Sequence, residues 1–210
     1  FFHPKTSCTE NRKKMLTFIY STVNAGKSAN LLMRSHSCNK RMIGHEIFVP
    51  QVGSKSEGGV NHIKSRIGFS SPAHLLKEED CPFEILIKNN YKEVIQCVFV
   101  DEAQFLNKKQ VLGLTRISDE LNIPVYAYGL RTDYKGELFE GSKYLLGWSD
   151  NIEEISTFSH KTAKKAIFSM KMDTDGNQIL EGDSISVDGE DKNFKYIPAC
   201  RKTFQIKNLF

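Results

Sequence analysis

The stretch TFIYSTVNAGKSANLLMRS, residues 17–35, decides the fold. MLTFIY (15–20) is short, apolar and bounded by turn residues, as a buried strand is. The chain then turns polar and runs through Gly26, Lys27 and Ser28 into a predicted helix from residue 27, with Leu31, Leu32 and Met33 on its apolar side. A phosphate-binding loop sits between a strand and a helix in this way. Backbone N–H groups cradle phosphates, a lysine reaches the β- and γ-phosphates, and a Ser/Thr hydroxyl faces Mg²⁺. The loop here is Ser21, Thr22, Val23, Asn24, Ala25, Gly26, Lys27, Ser28, with Ser21 where the common pattern has its first glycine. A Gly-Lys-Ser triplet alone is equally compatible with an ordinary helix start.

A second segment adds weight. VIQCVFVDEAQF (94–105) is a β-branched apolar run ending in Asp101 and Glu102. Phosphate-loop enzymes carry such an acid at the end of a neighbouring strand, where it holds the metal's water shell. Two adjacent acids could also simply favour a helix N-terminus. Placed at the end of a buried strand, however, they point to the sheet edge where α/β proteins bind ligands.

The rest of the chain alternates in the same way. HEIFVPQV (45–52) and IPVYAYGL (123–130) read as strands; SSPAHLLKEED (70–80), with Pro72 in its first turn, and KKQVLGLTRISDELN (108–122) read as helices. NKKQ (107–110) lacks the aspartate of a GTPase base-reading motif and is read as a helix start. The fold class expected is α/β: a P-loop NTPase-like parallel sheet with flanking helices. Residues 53–65 are polar and glycine-containing, a loop. Beyond about residue 150 helical periodicity fades, and DTDG (173–176) signals a hairpin turn.

The division expected is an extension at 1–14, without order of its own, a nucleotide-binding kinase domain at 15–155, and a small β-rich lid lobe at 156–210. Phe158, Ile167, Phe168, Met170, Met172, Ile179, Leu180, Phe194, Ile197 and Phe204 are the lobe's candidate core.

Composition limits the partners. The chain has 210 residues and a formal net charge of +4, which suits an anionic small molecule and falls short of a nucleic-acid footprint. No apolar run approaches the roughly 20 residues of a membrane helix. Five scattered cysteines without a CxxC pair point to a reducing compartment, hence the cytoplasm.

YSTVNAGKSANLL (20–32), SRIGFSSPAHL (65–75), VFVDEAQFL (98–106) and IPVYAYGLRTDYKGELFEGSKYLL (123–146) together resemble the type II thymidine kinases, most closely a bacterial branch that also has serine at the first loop position. The resemblance runs from Met15 to about Phe204 and is weakest in 53–63 and 156–203. It implies transfer of the γ-phosphoryl group of ATP to the 5′-hydroxyl of thymidine. Residues 21–28 would bind phosphate, Ser28 and Asp101 would serve Mg²⁺, Glu102 would be the catalytic base, and Gln104 would complete the DEAQ signature. Arg66 would reach phosphate. Val23, Tyr134, Phe139 and Tyr196 would surround the nucleoside. For Tyr134 and Phe139 the alternative is ordinary core packing. A homotetramer is implied by analogy.

Two departures stand out. Where related sequences carry Asp-x-Arg after the second strand, this chain has Gly53 and Lys55, and lysine lacks arginine's bidentate fork. The family's structural zinc site, CxC followed by CxxH in this branch, is matched by His160 and Thr162, then Cys200 and Thr203. Only His160 and Cys200 remain as ligands, so zinc is expected to be absent. These departures leave a rival reading, a diverged nucleotide-binding relative with weak or no turnover.

Overall fold

The computed structural model describes residues 15–53, 62–88, 95–182 and 193–204. The expectations for residues 1–14 and for Lys55 lie outside them.

Six strands form the central sheet: β1 (Leu16–Ser21), β2 (His45–Pro50), β5 (His74–Leu76), β6 (Cys97–Val100), β7 (Val125–Leu130) and β8 (Asn151–Glu154). Their order is β5-β2-β6-β7-β1-β8, and every neighbouring pair is parallel. Parallel strands need both faces covered. Leu16, Phe18, Val98 and Val100 pack with Phe83 and Leu86 of α2 (Pro82–Lys88), Val111, Leu114 and Ile117 of α3 (Lys108–Leu121) and Leu145 of α4 (Glu140–Trp148). Ile19, Ile47, Val49, Cys97 and Phe99 pack with Leu31 and Leu32 of α1 (Lys27–Lys40). Alternate residues of β1 therefore serve two cores, each such side chain contributing about 1.5–3 kcal/mol before entropy costs.

Parallel order brings the carboxyl ends of β1, β6 and β7 to one edge. One detail of the expected layout changes: β6, which carries the acids, is not the direct neighbour of β1, because β7 lies between them.

NKKQ is a helix start. Asn107 accepts from the Gln110 amide at 2.9 Å and Gln110 Oε1 accepts from the Asn107 amide at 3.1 Å, a capping box. The helix expected at 70–80 is instead extended: β4 (Ser70–Pro72) pairs antiparallel with β3 (His62–Lys64), and β5 extends the main sheet beside β2. Pairing with β2 buries Leu76 to 1% exposure, and this tertiary gain outweighs local propensity. Pro82, not Pro72, opens the helix.

In the C-terminal lobe β9 (Phe168–Asp173) pairs antiparallel with β10 (Phe194–Ala199), followed by α5 (Arg201–Phe204). The DTDG turn closes through Gly176 N–H to the Asp173 carbonyl, and β9 meets the chain just after it in a short bridge, Met172 opposite Gln178. Hydrogen bonds from the Asp173 amide to the Asn177 carbonyl and from the Ile179 amide to the Lys171 carbonyl flank it. Phe168, Met170, Met172, Ile197, Ala199 and Phe204 form the lobe core, with Phe168 and Phe204 stacked at 4.3 Å. Phe158 does not join it and is 71% exposed: it bridges Lys165 on the outer side while Ser159 turns inward.

Candidate functional site

The loop after β1 turns into α1 through Gly26, whose φ of 81° is left-handed backbone that a side chain would strain. Lys27 folds back and donates to the Thr22 carbonyl at 2.9 Å. Its proton affinity is lowered by burial, against the opposing pull of Glu102 and Asp101, with Arg66 pushing the same way as burial. Ser21 is the buried last residue of β1, and its hydroxyl donates to the Ile155 carbonyl. Serine in the first loop position thus ties the loop to the chain leaving β8, a tie glycine could not make.

At the end of β6, Asp101 is 5% exposed. Burial and the neighbouring Glu102 raise its carboxyl to about 7, although a hydrogen bond from Ser28 and the charge of Lys27 favour the ionised form. Its Oδ1 is buried with no hydrogen-bond partner among the described residues. Ser28 in the first turn of α1 thus acts on Asp101 at the end of β6, although β7 separates β1 from β6 in the sheet. An orphaned carboxylate oxygen beside a serine hydroxyl and a lysine fits a magnesium ion's water shell.

Glu102 has φ 51° and ψ 37°, left-handed for a residue with a side chain. Such strain costs on the order of 1–3 kcal/mol and clusters at functional sites. Gln104 explains how it is held. Gln104 is 1% exposed, donates through Nε2 to Glu102 Oε2 at 2.6 Å, and accepts the Leu130 amide on Oε1 at 3.0 Å. The carboxylate is thereby fixed relative to the end of β7.

Tyr134 and Tyr196 come together, their ring centroids 6.4 Å apart, and the Tyr134 hydroxyl donates to the Glu181 carbonyl at 3.0 Å. Phe139 caps α4 and meets Phe105 edge-on at 5.5 Å, next to Gln104. The amide of Val23 donates to Ser169 Oγ at 3.1 Å, so the phosphate loop touches β9 directly. Asn24, exposed and at φ 62°, donates to the Tyr196 carbonyl at 3.4 Å and accepts from Arg66 Nη1. Arg66 sits on the turn between β3 and β4, and Gly53 ends a short 3₁₀ turn after β2. Thr22 and Ala25 supply loop backbone between these contacts.

Two residues beside this site had not been singled out from sequence. Ser169 accepts from the loop, and Lys171, 7% exposed, lies 4.0 Å from the Phe194 ring centroid and 5.0 Å from that of Tyr134. The signal was available: they are the polar interruptions of the otherwise apolar AIFSMKM.

The zinc positions do not fit a zinc ion. Thr162 Oγ1 donates to Cys200 Sγ at 3.8 Å and Thr203 Oγ1 lies 3.2 Å from the same sulfur. His160 is exposed, with its backbone amide on the Pro198 carbonyl. Among the described residues no three His, Cys, Asp or Glu side chains gather as a metal site. Threonine hydroxyls now surround the sulfur where two ligands stood in the family pattern. Cys38, Cys81, Cys97 and Cys200 are free thiols, and no helix among the described residues is long and apolar enough to cross a membrane.

A thymidine kinase family model matches residues 14–204. The thymidine kinase of Haemophilus influenzae (strain ATCC 51907 / DSM 11121 / KW20 / Rd) is 42% identical over 192 residues, covering 91% of this chain and 96% of that one. That of Coxiella burnetii (strain RSA 493 / Nine Mile phase I) is 43% identical over 192 residues, covering 91% and 95%. That of Aliivibrio fischeri (strain ATCC 700601 / ES114) is 41% identical over 188 residues, covering 90% and 95%. Among solved structures, the X-ray structure of the Legionella pneumophila ATPase DotB matches with a TM-score of 0.32 at 14% identity, over 80% of this chain and 44% of that one, too distant to carry any argument.

Proposed function

The chain belongs to the thymidine kinase family, and we propose that it moves the γ-phosphoryl group of ATP to the 5′-hydroxyl of thymidine with Glu102 as the base. One observation carries this assignment of roles: the strained Glu102 carboxylate, anchored by Gln104, stands beside the Asp101–Ser28 contact at the mouth of the phosphate loop. A base and a phosphate cradle at one sheet edge suit in-line phosphoryl transfer, where the protein mostly positions groups and stabilises charge.

Lys27 and the loop amides bind the β- and γ-phosphates. Ser28 and Asp101 would hold Mg²⁺, which would supply positive charge against that of the phosphates. Arg66 supplies a second cation from the β3–β4 turn, in place of the arginine missing near residue 55. Glu102 removes the 5′-hydroxyl proton as that oxygen attacks the γ-phosphorus, and ADP leaves. Tyr134 and Tyr196 flank the base, with Val23 and Phe139 completing the pocket. Residues 15–155 act as the catalytic unit and 156–210 as the nucleoside lid. The enzyme works in the cytoplasm as a homo-oligomer, a tetramer by family analogy, without zinc.

The retained Lys27, Ser28, Asp101 and Glu102 and the family match along the chain disfavour the inactive-relative reading. Purified protein with Mg-ATP and labelled thymidine tests the proposal. Thymidine-dependent formation of the monophosphate supports it. ATP turnover indifferent to thymidine contradicts it.

A further inference from the structure

Asn24 has three attachments in space. Its backbone belongs to the phosphate loop. Its amide nitrogen reaches the Tyr196 carbonyl in β10 at 3.4 Å, and its amide oxygen takes a hydrogen bond from Arg66 on the β3–β4 turn. A carbonyl only accepts and a guanidinium only donates, so the amide can bridge the two in one orientation alone. The adjacent residue reinforces the same junction, because the Val23 amide is held by Ser169 of β9. Loop, turn and lobe therefore meet at one short carboxamide.

We propose that Asn24 is a positioning residue: it sets the Arg66 guanidinium against the transferring phosphoryl group and registers that placement to the seating of β10. The inference rests on the phosphate-side role given to Arg66 above. Arg66 sits on an exposed turn, and a long side chain there holds many rotamers unless something fixes it. Asn24 is one group that fixes it on the phosphate-loop side, and Asn24 is itself held by the strand that carries Tyr196. Placement of the nucleoside lobe and of the phosphate-side cation thus become one event, which links thymidine binding to a competent phosphate site.

The plain alternative is that asparagine stands here only because it tolerates a φ of 62°. Glycine separates the two, since it adopts that φ freely and has no amide side chain. Asn24 is exposed and glycine suits its backbone, so Asn24→Gly leaves the fold intact, which a melting curve verifies. The test is a double-mutant cycle of Asn24→Gly and Arg66→Ala, with kcat and both KM values measured.

Arg66→Ala is expected to lower kcat on the order of 10–100-fold, the worth of a hydrogen bond to a charged group. Asn24→Gly should lower it by a similar factor, and the double variant should fall no further than Arg66→Ala. The KM for thymidine should rise with Asn24→Gly and stay level with Arg66→Ala. Losses that multiply in the double variant, or an Asn24→Gly enzyme with unaltered kcat, overturn the inference while leaving the role of Arg66 standing. An Arg66→Ala enzyme with wild-type kcat overturns both.

Discussion

Gln104 holds Glu102: its amide donates to the carboxylate at 2.6 Å while its carbonyl oxygen is pinned by the Leu130 amide at 3.0 Å. Glutamine rather than a hydrophobe occupies this buried position because both ends of its amide are used. Gln104→Leu keeps the volume and removes both bonds. It should lower kcat on the order of 10–100-fold, with little change in the KM for ATP. An unaltered kcat would show that Glu102 needs no support from Gln104.

Asp101 makes stability depend on pH. Its folded carboxyl titrates at about 7 against an ordinary 3.8, because of burial and the Glu102 charge. Between those values the folded protein keeps a proton that the unfolded chain has released. Stability of the ligand-free protein therefore falls as pH rises from about 4 to about 7, and levels off above. Asp101→Asn should remove that contribution. Melting curves across the window check it; an equal slope in the variant would contradict the assignment.

Gly141 lets α4 approach the turn after Glu102. A Cβ there would lie 2.4 Å from the Ala103 carbonyl oxygen, 2.9 Å from that of Gln104 and 2.8 Å from that of Leu106. All three are backbone atoms that cannot rotate away. Gly141→Ala should cost about 1–3 kcal/mol or more, as overpacking does, and lower kcat with it by shifting Gln104. Chemical denaturation and turnover on the same variant test both effects.

The strand–loop–helix of residues 16–40, the acids after Val100 and the α3 start were legible because each has strong local chemistry: apolar β-branched runs, glycine and a capping asparagine. β5 was not. HLL holds too little pattern to declare itself, and only the open edge of β2 makes it a strand. α4 hid for a related reason, since Gly141 and Gly147 weaken its helical signature while packing still stabilises it. In the site, Lys27, Asp101 and Glu102 stood out by motif. Ser169 and the bridging role of Asn24 depend on the Val23–Ser169 and Asn24–Tyr196 bonds, whose partners lie 146 and 172 residues apart in sequence. Lys171 depends on its contacts with the Tyr134 and Phe194 rings. The polar breaks in AIFSMKM mark Ser169 and Lys171 but not what they touch.

The lobe should hold together without metal. Phe168 stacks on Phe204, Met170, Met172 and Ile197 fill the space beside them, and Cys200 sits among threonine hydroxyls. EDTA should leave the melting temperature unchanged, and elemental analysis should find far less than one zinc per chain. One tightly held zinc per chain would contradict this.

Glu102 is the proposed base of the phosphoryl transfer. The most direct measurement is the rate of thymidine monophosphate formation by Glu102→Gln at saturating thymidine and Mg-ATP, with ATP affinity determined on the same preparation. The rate should fall on the order of 10²–10⁴-fold with ATP affinity retained. Turnover near the wild-type rate would contradict it.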